Sequence, residues 1–254
     1  MYTFSPISPR VADMRERYRS TKPELDLNRY KIVTEFYMEH RDITGCLKRA
    51  YNFKNLCEKM PTHVNDGEII VGSLTAKYRA AAMFPENSVD WLKEEMTSGL
   101  LWTRETDPYI VDEETRDYVL STVDFWMQEC MSAKLNSYIP LNYRKLAGNG
   151  CCGFGPQGQA AQPVGHFCTG YNKAIRKGFK AIKEEADAKI LELEGTGLGG
   201  AKAKQYNFYR SISIVCDGMI TLAKRYSKHC AELAEKECDA ARKTELIKLS
   251  EVLD

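Results

Sequence analysis

The sequence predicts a mainly α protein with one or two short strands. Three observations carry this. Apolar residues recur at three-, four- and seven-residue spacing through most of the chain, and Ser, Asp and Thr stand just before several of these runs, as helix caps do. Only one stretch has the β-branched, turn-bounded pattern of a strand. The chain has 254 residues, 43% of them hydrophobic and 28% charged, enough for a sizeable core.

The elements follow in order. Residues 8–20 read as a short charged helix after a proline-broken start. Asp26 is placed to cap a helix running to about Arg41, with Tyr30, Val33, Phe36 and Tyr37 on one face. Thr44 is placed to cap the next, where Leu47, Ala50, Tyr51, Leu56 and Met60 form the stripe and Pro61 the stop. Residues 65–74, NDGEIIVGSL, set the turn dipeptide Asp66-Gly67 before Ile69-Ile70-Val71 and predict a strand. Residues 80–87 are expected to be irregular. Asn87 or Ser88 would cap a short helix containing Trp91 and Leu92, and residues 106–108 read as a turn.

Asp112-Glu113-Glu114 supplies the negative charge that a helix N-terminus favours, and predicts a helix to about Leu135. A further helix is expected from Tyr171 to about Leu193. The linker GTGLGG, residues 195–200, leads to a long helix from Ala201 to about Lys236. There Phe208, Ile212, Val215, Met219, Leu222 and Tyr226 form the stripe. A final amphipathic helix, residues 239–253, carries Leu246, Leu249 and Leu253 and runs into Asp254 without glycine, proline or polar tail. Such an ending predicts a chain cut from a longer one.

Charge and cysteine usage exclude several classes. The 36 basic and 35 acidic residues balance to +1, which gives no electrostatic case for nucleic acid or an anionic membrane. No apolar run reaches 18 residues, so no membrane span is expected. The start, MYTFSPISPR, has no signal-peptide pattern. Nine cysteines, an odd number with no CxxC, point to reduced thiols in the cytoplasm rather than a disulfide framework.

The stretch from 148 to 179 holds eight glycines around a single histidine, His166. Glycine allows close backbone approach to a ligand or positive φ. His166 suits hydrogen bonding to, or proton transfer with, a small polar substrate, because imidazole titrates near neutrality. The alternative is a core histidine satisfied by backbone. Cys151, Cys152, Cys168 and His166 match no standard zinc spacing, so no metal is expected. Neither this stretch nor GTGLGGAK has the spacing of a phosphate-binding loop. Arg79 would clamp a carboxylate or close an internal ion pair. His40, His63 and His229 are expected to be solvated, and Trp91, Trp102 and Trp126 to be packing residues.

Several segments, in order, resemble the glycyl radical enzyme family. RYKIVTEFYMEH with CLKRAYNFKNLCEKMP resembles its opening helix pair, and NDGEIIVGSLTAKYRAAAMFPE its turn-strand segment. VGHFCTGYNKAIRKGFKAI resembles its glycine-histidine segment. SIVCDGMITLAKRYSKHCAELA with ARKTELIKLSEVLD resembles the helix pair before the barrel continues. The subgroup is that of the pyruvate formate-lyase-like diol dehydratases, hydroxyproline dehydratase, choline lyase and arylacetate decarboxylases.

The resemblance implies the N-terminal part of a ten-stranded α/β barrel, residues 1–254 being one truncated portion of it. It implies an anaerobic lyase or dehydratase cleaving a C–O, C–N, C–S or C–C bond of a small polar substrate, or alternatively an arylacetate decarboxylase. In that family a radical-SAM [4Fe–4S] activating enzyme installs a glycyl radical near the C-terminus, which passes to a mid-chain cysteine. The family's G-C-V-E and R-V-x-G-Y loops are absent from this sequence. Resemblance therefore implies that no catalytic residue or cofactor lies within this chain, which would be inactive alone and homodimeric when full length. His166, in Val164-Gly165-His166, matches a substrate-contacting histidine, and Phe167, Asn149 and Phe154 would line the same pocket. The different class to weigh against it is a non-catalytic helical scaffold.

Overall fold

The computed structural model describes residues 6–142 and 170–254. Its elements are α1 (Pro9–Ser20), β1 (Glu24–Asp26), α2 (Leu27–Glu39), α3 (Gly45–Lys59), β2 (Ala80–Ala82), α4 (Asp90–Ser98), α5 (Leu100–Thr103), α6 (Glu113–Glu129) and α7 (Met131–Tyr138). After residue 170 come α8 (Tyr171–Glu194), α9 (Ala201–Lys236) and α10 (Ala240–Leu253). The mainly helical class is borne out.

Capping chemistry explains several boundaries. Ser8 accepts from the Val11 amide, Asp26 from Asn28, Asp112 from Thr115 and Asp239 from Arg242. Each satisfies an amide that the first helical turn leaves without an intrahelical partner.

Four expectations are corrected. Residues 65–74 form no strand: Asp66-Gly67 turns as expected, but Ile69 and Ile70 lie in a bend, 53% and 87% exposed. A β-branched run needs a neighbouring ladder, and the described residues offer none there. Among the described residues the strands are instead β1 and β2, which pair with each other, β2 falling in the stretch expected to be irregular. Helix α4 begins after Val89, without a side-chain cap from Asn87 or Ser88. The helix expected from Asp112 to Leu135 breaks at Cys130 (φ −67°, ψ 157°). There the Met131 and Ser132 amides turn to the carbonyls of Glu86 and Asn87, at 2.9 and 3.0 Å.

The chain divides into two compact units, Met1–Lys22 with Glu35–Ala80 and Gly170–Asp254, and Pro23–Thr34 with Ala81–Thr169. In the first, α9 is the axis, and α3, α8 and α10 pack against it. The predicted stripe of α9 is only partly fully buried: Tyr226 is, but Phe208 is exposed. The other fully buried positions are small ones such as Cys216, Gly218, Cys230 and Ala234. Three helices crowding one axis favour small residues that let backbones approach. A Cβ on Gly218 would stand 3.1 Å from the Lys54 Cα of α3. Arg225 of α9 donates to the Cys57 and Met60 carbonyls, both at 2.7 Å, closing the C-terminal end of α3. Ser227 donates to the Ser250 carbonyl and ties α10 to α9.

In the second unit, Val119, Val123 and Trp126 of α6 are buried, as are Leu92 and Met96 of α4 and Leu101 of α5. Leu25 of β1 donates to the Ile110 carbonyl at 3.0 Å, and Ile110 returns a bond to Pro23. Tyr30 is fully buried, its hydroxyl accepts from Thr122, and burial pushes its pKa up to about 12. It is a neutral packing residue. Arg29 is buried, paired with Glu86, bonded to the Met83 carbonyl at 2.9 Å and stacked on Phe84. Among the described residues, no helix is long and apolar enough to cross a membrane.

Candidate functional site

His166, Phe167, Asn149 and Phe154, with Cys151, Cys152 and Cys168, lie outside the described residues. The described chain resumes at Gly170, directly before α8, and α8 is interrupted at Gly178 (φ 75°, ψ 163°), a conformation essentially confined to glycine. A straight helix would put residues 173 and 185 about 18 Å apart. Across the interruption, however, Lys173 meets the Glu185 carboxylate at 2.7 Å and Lys177 meets its other oxygen. The first turns of α8 are thus folded back on the rest. Hydrogen bonds from Lys173, then from Lys177, hold the Glu185 carboxyl at about 2, far below the usual carboxylate range. This clasp fixes the helix that begins directly after the histidine segment.

Other residues singled out from sequence have structural roles. Among the described residues, Arg79 neither clamps a carboxylate nor closes an ion pair. Its guanidinium donates to the carbonyls of Tyr18 (3.1 Å) and Thr21 (2.6 Å), where α1 ends, and packs over the Tyr18 ring. Backbone carbonyls left without amide partners at a helix end attract such a cation. Cys57, Cys130, Cys216 and Cys230 are buried, and burial raises all four thiols, Cys57 to about 11. They behave as small apolar residues rather than nucleophiles. No group of three metal-binding side chains occurs among the described residues. His40, His63 and His229 are half-buried rather than solvated, His40 against the Phe36 ring. Trp126 packs in the core as expected, whereas Trp91 is largely exposed.

One cleft, of about 370 Å³, was not foreseen from sequence. Arg17, Thr21, His63, Asn65 and Tyr78 are among its lining residues. Several of its polar groups are engaged within the protein: Arg17 donates to the Asp66 carbonyl at 2.8 Å and pairs with Asp13 at 3.0 Å, although its buried Nε has no partner among the described residues, Tyr78 donates to the Met14 carbonyl at 3.0 Å, and the His63 ring meets Asn65. These contacts tie α1 to the 63–78 segment. Residues from such separated stretches form no sequence motif, so no signal could have found the cleft.

A family model of pyruvate formate lyase-like proteins matches residues 5–254, and the chain belongs to this family. It is 27% identical to an isethionate sulfite-lyase of Desulfovibrio desulfuricans, over 98% of this chain and 30% of that protein. Its fold superposes with a TM-score of 0.88 on the glycerol-bound B12-independent glycerol dehydratase of Clostridium butyricum, at 29% identity, covering 99% of this chain and 31% of the other. A glycyl radical enzyme of Archaeoglobus fulgidus aligns at a TM-score of 0.82 and 26% identity, over 96% and 30% of the two chains. The chain therefore spans about 30% of the length of the relatives it matches.

Proposed function

We propose that residues 1–254 are the substrate-pocket and scaffold portion of a glycyl radical lyase or dehydratase. The enzyme acts in the cytoplasm under anaerobic conditions on a small polar molecule, breaking a C–O, C–N, C–S or C–C bond. The observation that carries this reading is the match running through residues 5–254, together with a TM-score of 0.88 to a glycerol dehydratase over 99% of the chain. The names of the relatives support the substrate class, since isethionate and glycerol are both small and polar.

His166 is the residue that handles the substrate in this proposal. It orients a substrate hydroxyl by hydrogen bonding and holds or releases a proton on its ring nitrogen near neutral pH. Phe167, Asn149 and Phe154 shape the same pocket, the phenylalanines excluding water and Asn149 offering an amide. The clasp of Lys173 and Lys177 on Glu185 steadies the helix after the histidine segment.

The glycyl radical, once installed by a radical-SAM activating enzyme, supplies hydrogen-atom abstraction through a cysteine thiyl. This sequence holds neither the G-C-V-E nor the R-V-x-G-Y loop, so no bond-breaking step is assigned to its own residues. Alone, the 254-residue chain is inactive, and the family-length protein is a homodimer.

The test is electron paramagnetic resonance on the polypeptide encoded by the whole gene, after anaerobic treatment with its activating enzyme. A glycyl doublet, with turnover of glycerol, isethionate or a related small polyol or sulfonate, is expected. No doublet under conditions that activate a known relative overturns the enzymatic reading in favour of a helical scaffold. A doublet with carbon dioxide released from an arylacetate assigns the decarboxylase branch.

A further inference from the structure

Helix α1 joins its unit almost without a core. None of its residues is fully buried, and Val11 and Tyr18 are 47% and 51% exposed. Met14 lies over Gly67, where a Cβ would stand 3.5 Å from the methionine Cγ, and the Tyr18 ring meets Tyr78 edge-on at 6.2 Å. Polar groups do most of the holding. Arg10 pairs with Glu245 of α10, and Arg17 donates to the Asp66 carbonyl at 2.8 Å and stands 3.6 Å from its carboxylate. The Tyr78 hydroxyl donates to the Met14 carbonyl at 3.0 Å, and Arg79 donates to the carbonyls of Tyr18 and Thr21 at 3.1 and 2.6 Å.

These ties seat a helix without locking it. Exposed ion pairs contribute little each and are screened by salt. The side chains of Arg10 and Arg17 are 40% and 35% exposed, and that of Asp66 is 96% exposed. The seated form also carries a cost. The buried Arg17 Nε has no partner among the described residues, and water satisfies it when α1 lifts. At 12 residues, α1 is about the length below which an isolated helix is marginal in water. Release therefore melts it, and its amides report the event. Helix α9 is the opposite case, with Cys216, Tyr226, Cys230 and Ala234 buried along its length.

We propose that α1 is a releasable strap, which opens as one piece about Thr21 and Lys22 while α3, α8, α9 and α10 stay folded. Thr21 has extended backbone (φ −78°, ψ 129°), and Pro23 disfavours helix at Lys22, so the chain leaves the helix there in either state. Closed, the strap contributes Arg17, Ser20 and the adjoining Thr21 to the lining of the cleft of about 370 Å³, with His63, Asn65 and Tyr78 supplied by the rest of the unit. Open, it lays that lining bare. It also frees the Tyr78 hydroxyl and the Arg79 guanidinium, which α1 and Thr21 carbonyls otherwise occupy. Ionic strength, rather than unfolding of the unit, then sets access to the cleft.

The test is amide-resolved hydrogen exchange on the native 254-residue protein, in about 0.05 M and about 1 M sodium chloride. The amides of residues 12–21 are expected to exchange at least about 100-fold faster than those at the centre of α9. Salt is expected to speed them a further threefold to tenfold, roughly, and to leave α9 unchanged. Two substitutions act at different points of the strap: Arg10→Gln removes the tie to Glu245, and Tyr78→Phe removes the tie to Met14. Each is expected to speed every amide of residues 12–21 by about threefold to tenfold, with α9 again unchanged. Exchange of α1 and α9 together means that the unit opens only as a whole, and overturns the strap. Acceleration confined to the turn nearest each substitution is the fraying of a helix end, and overturns it too. Exchange of α1 that ignores salt shows that the ion pairs do not hold it, with the same consequence.

Discussion

Trp126 donates its indole N–H to the Thr34 hydroxyl at 2.8 Å, and both residues are fully buried. Thr34 passes its own proton to the Tyr30 carbonyl at 2.7 Å, so the pair is satisfied without water. Thr34→Val keeps the shape but strands the indole N–H. It is expected to destabilise the protein by about 1–3 kcal/mol, read by chemical denaturation. Trp126→Phe, which removes the donor with the ring, should recover part of that loss when combined with Thr34→Val. Strict additivity of the two changes would show that the bond carries no coupling.

The Arg29–Glu86 pair sits in the same unit, with Arg29 largely removed from solvent. Removing one member of a buried pair leaves a charge without its partner. Glu86→Ala is expected to cost about 3–5 kcal/mol, more than Glu86→Gln, which retains an acceptor. Thermal melts of the two variants check the order, and equal losses would mean that the acceptor kept by Gln contributes nothing once the charge is gone.

Glu185 gives a pH dependence with a definite sign. Its carboxyl is held at about 2, below the ordinary 4.5, so its clasp contributes stability that is full above 4.5 and is lost as pH falls from there towards 2. Both lysines and the carboxylate are solvent-accessible, so salt should weaken the effect. Carboxyl NMR titration should place the Glu185 midpoint near 2 at low salt. Gly178→Ala forces a side chain into a backbone conformation it avoids, at a cost of about 1–3 kcal/mol. If the interruption makes the clasp possible, this variant returns the Glu185 midpoint towards 4.5. A midpoint left near 2 would separate the two features.

Among the six described cysteines, Cys46 and Cys238 are exposed and the other four buried with raised thiols. Brief alkylation of the native protein followed by peptide mapping should label Cys46 and Cys238 first. Rapid labelling of Cys57 or Cys230 would contradict the packing of α9 against α3 and α10.

For the proposed pocket, His166→Ala in the family-length enzyme should lower turnover of a hydroxylated substrate by about 10²–10⁴, the range for a group in acid–base catalysis. Unchanged kcat and KM would return His166 to a role in packing alone.

The legible and illegible parts of this chain divide along physical lines. Asp26 announced its helix because a cap is a local contact, made within three residues, and the acidic run from Asp112 marked another helix start for the same local reason. Helix α9 was readable end to end, preceded by a glycine-rich linker and long enough for its period to stand out. The break at Cys130 was not, because what competes for the α7 amides lies more than 40 residues earlier, at Glu86 and Asn87. Strands β1 and β2 are three residues each, too short for alternation to register. Ile69–Val71 misled for the opposite reason, since its local preference has no partner among the described residues. The candidate site was legible only through resemblance, because a glycine-rich stretch around one histidine has no unique chemistry of its own.

The first unit is assembled from chain segments that are far apart in sequence. The His63 amide meets the Tyr226 hydroxyl across 163 residues, and Arg10 reaches Glu245 across 235. On a ribosome adding 5–20 residues per second, α3 therefore waits about 8–30 s before the helix it packs against is synthesised. During that interval the face of α3 that will meet α9 has no partner within the nascent chain.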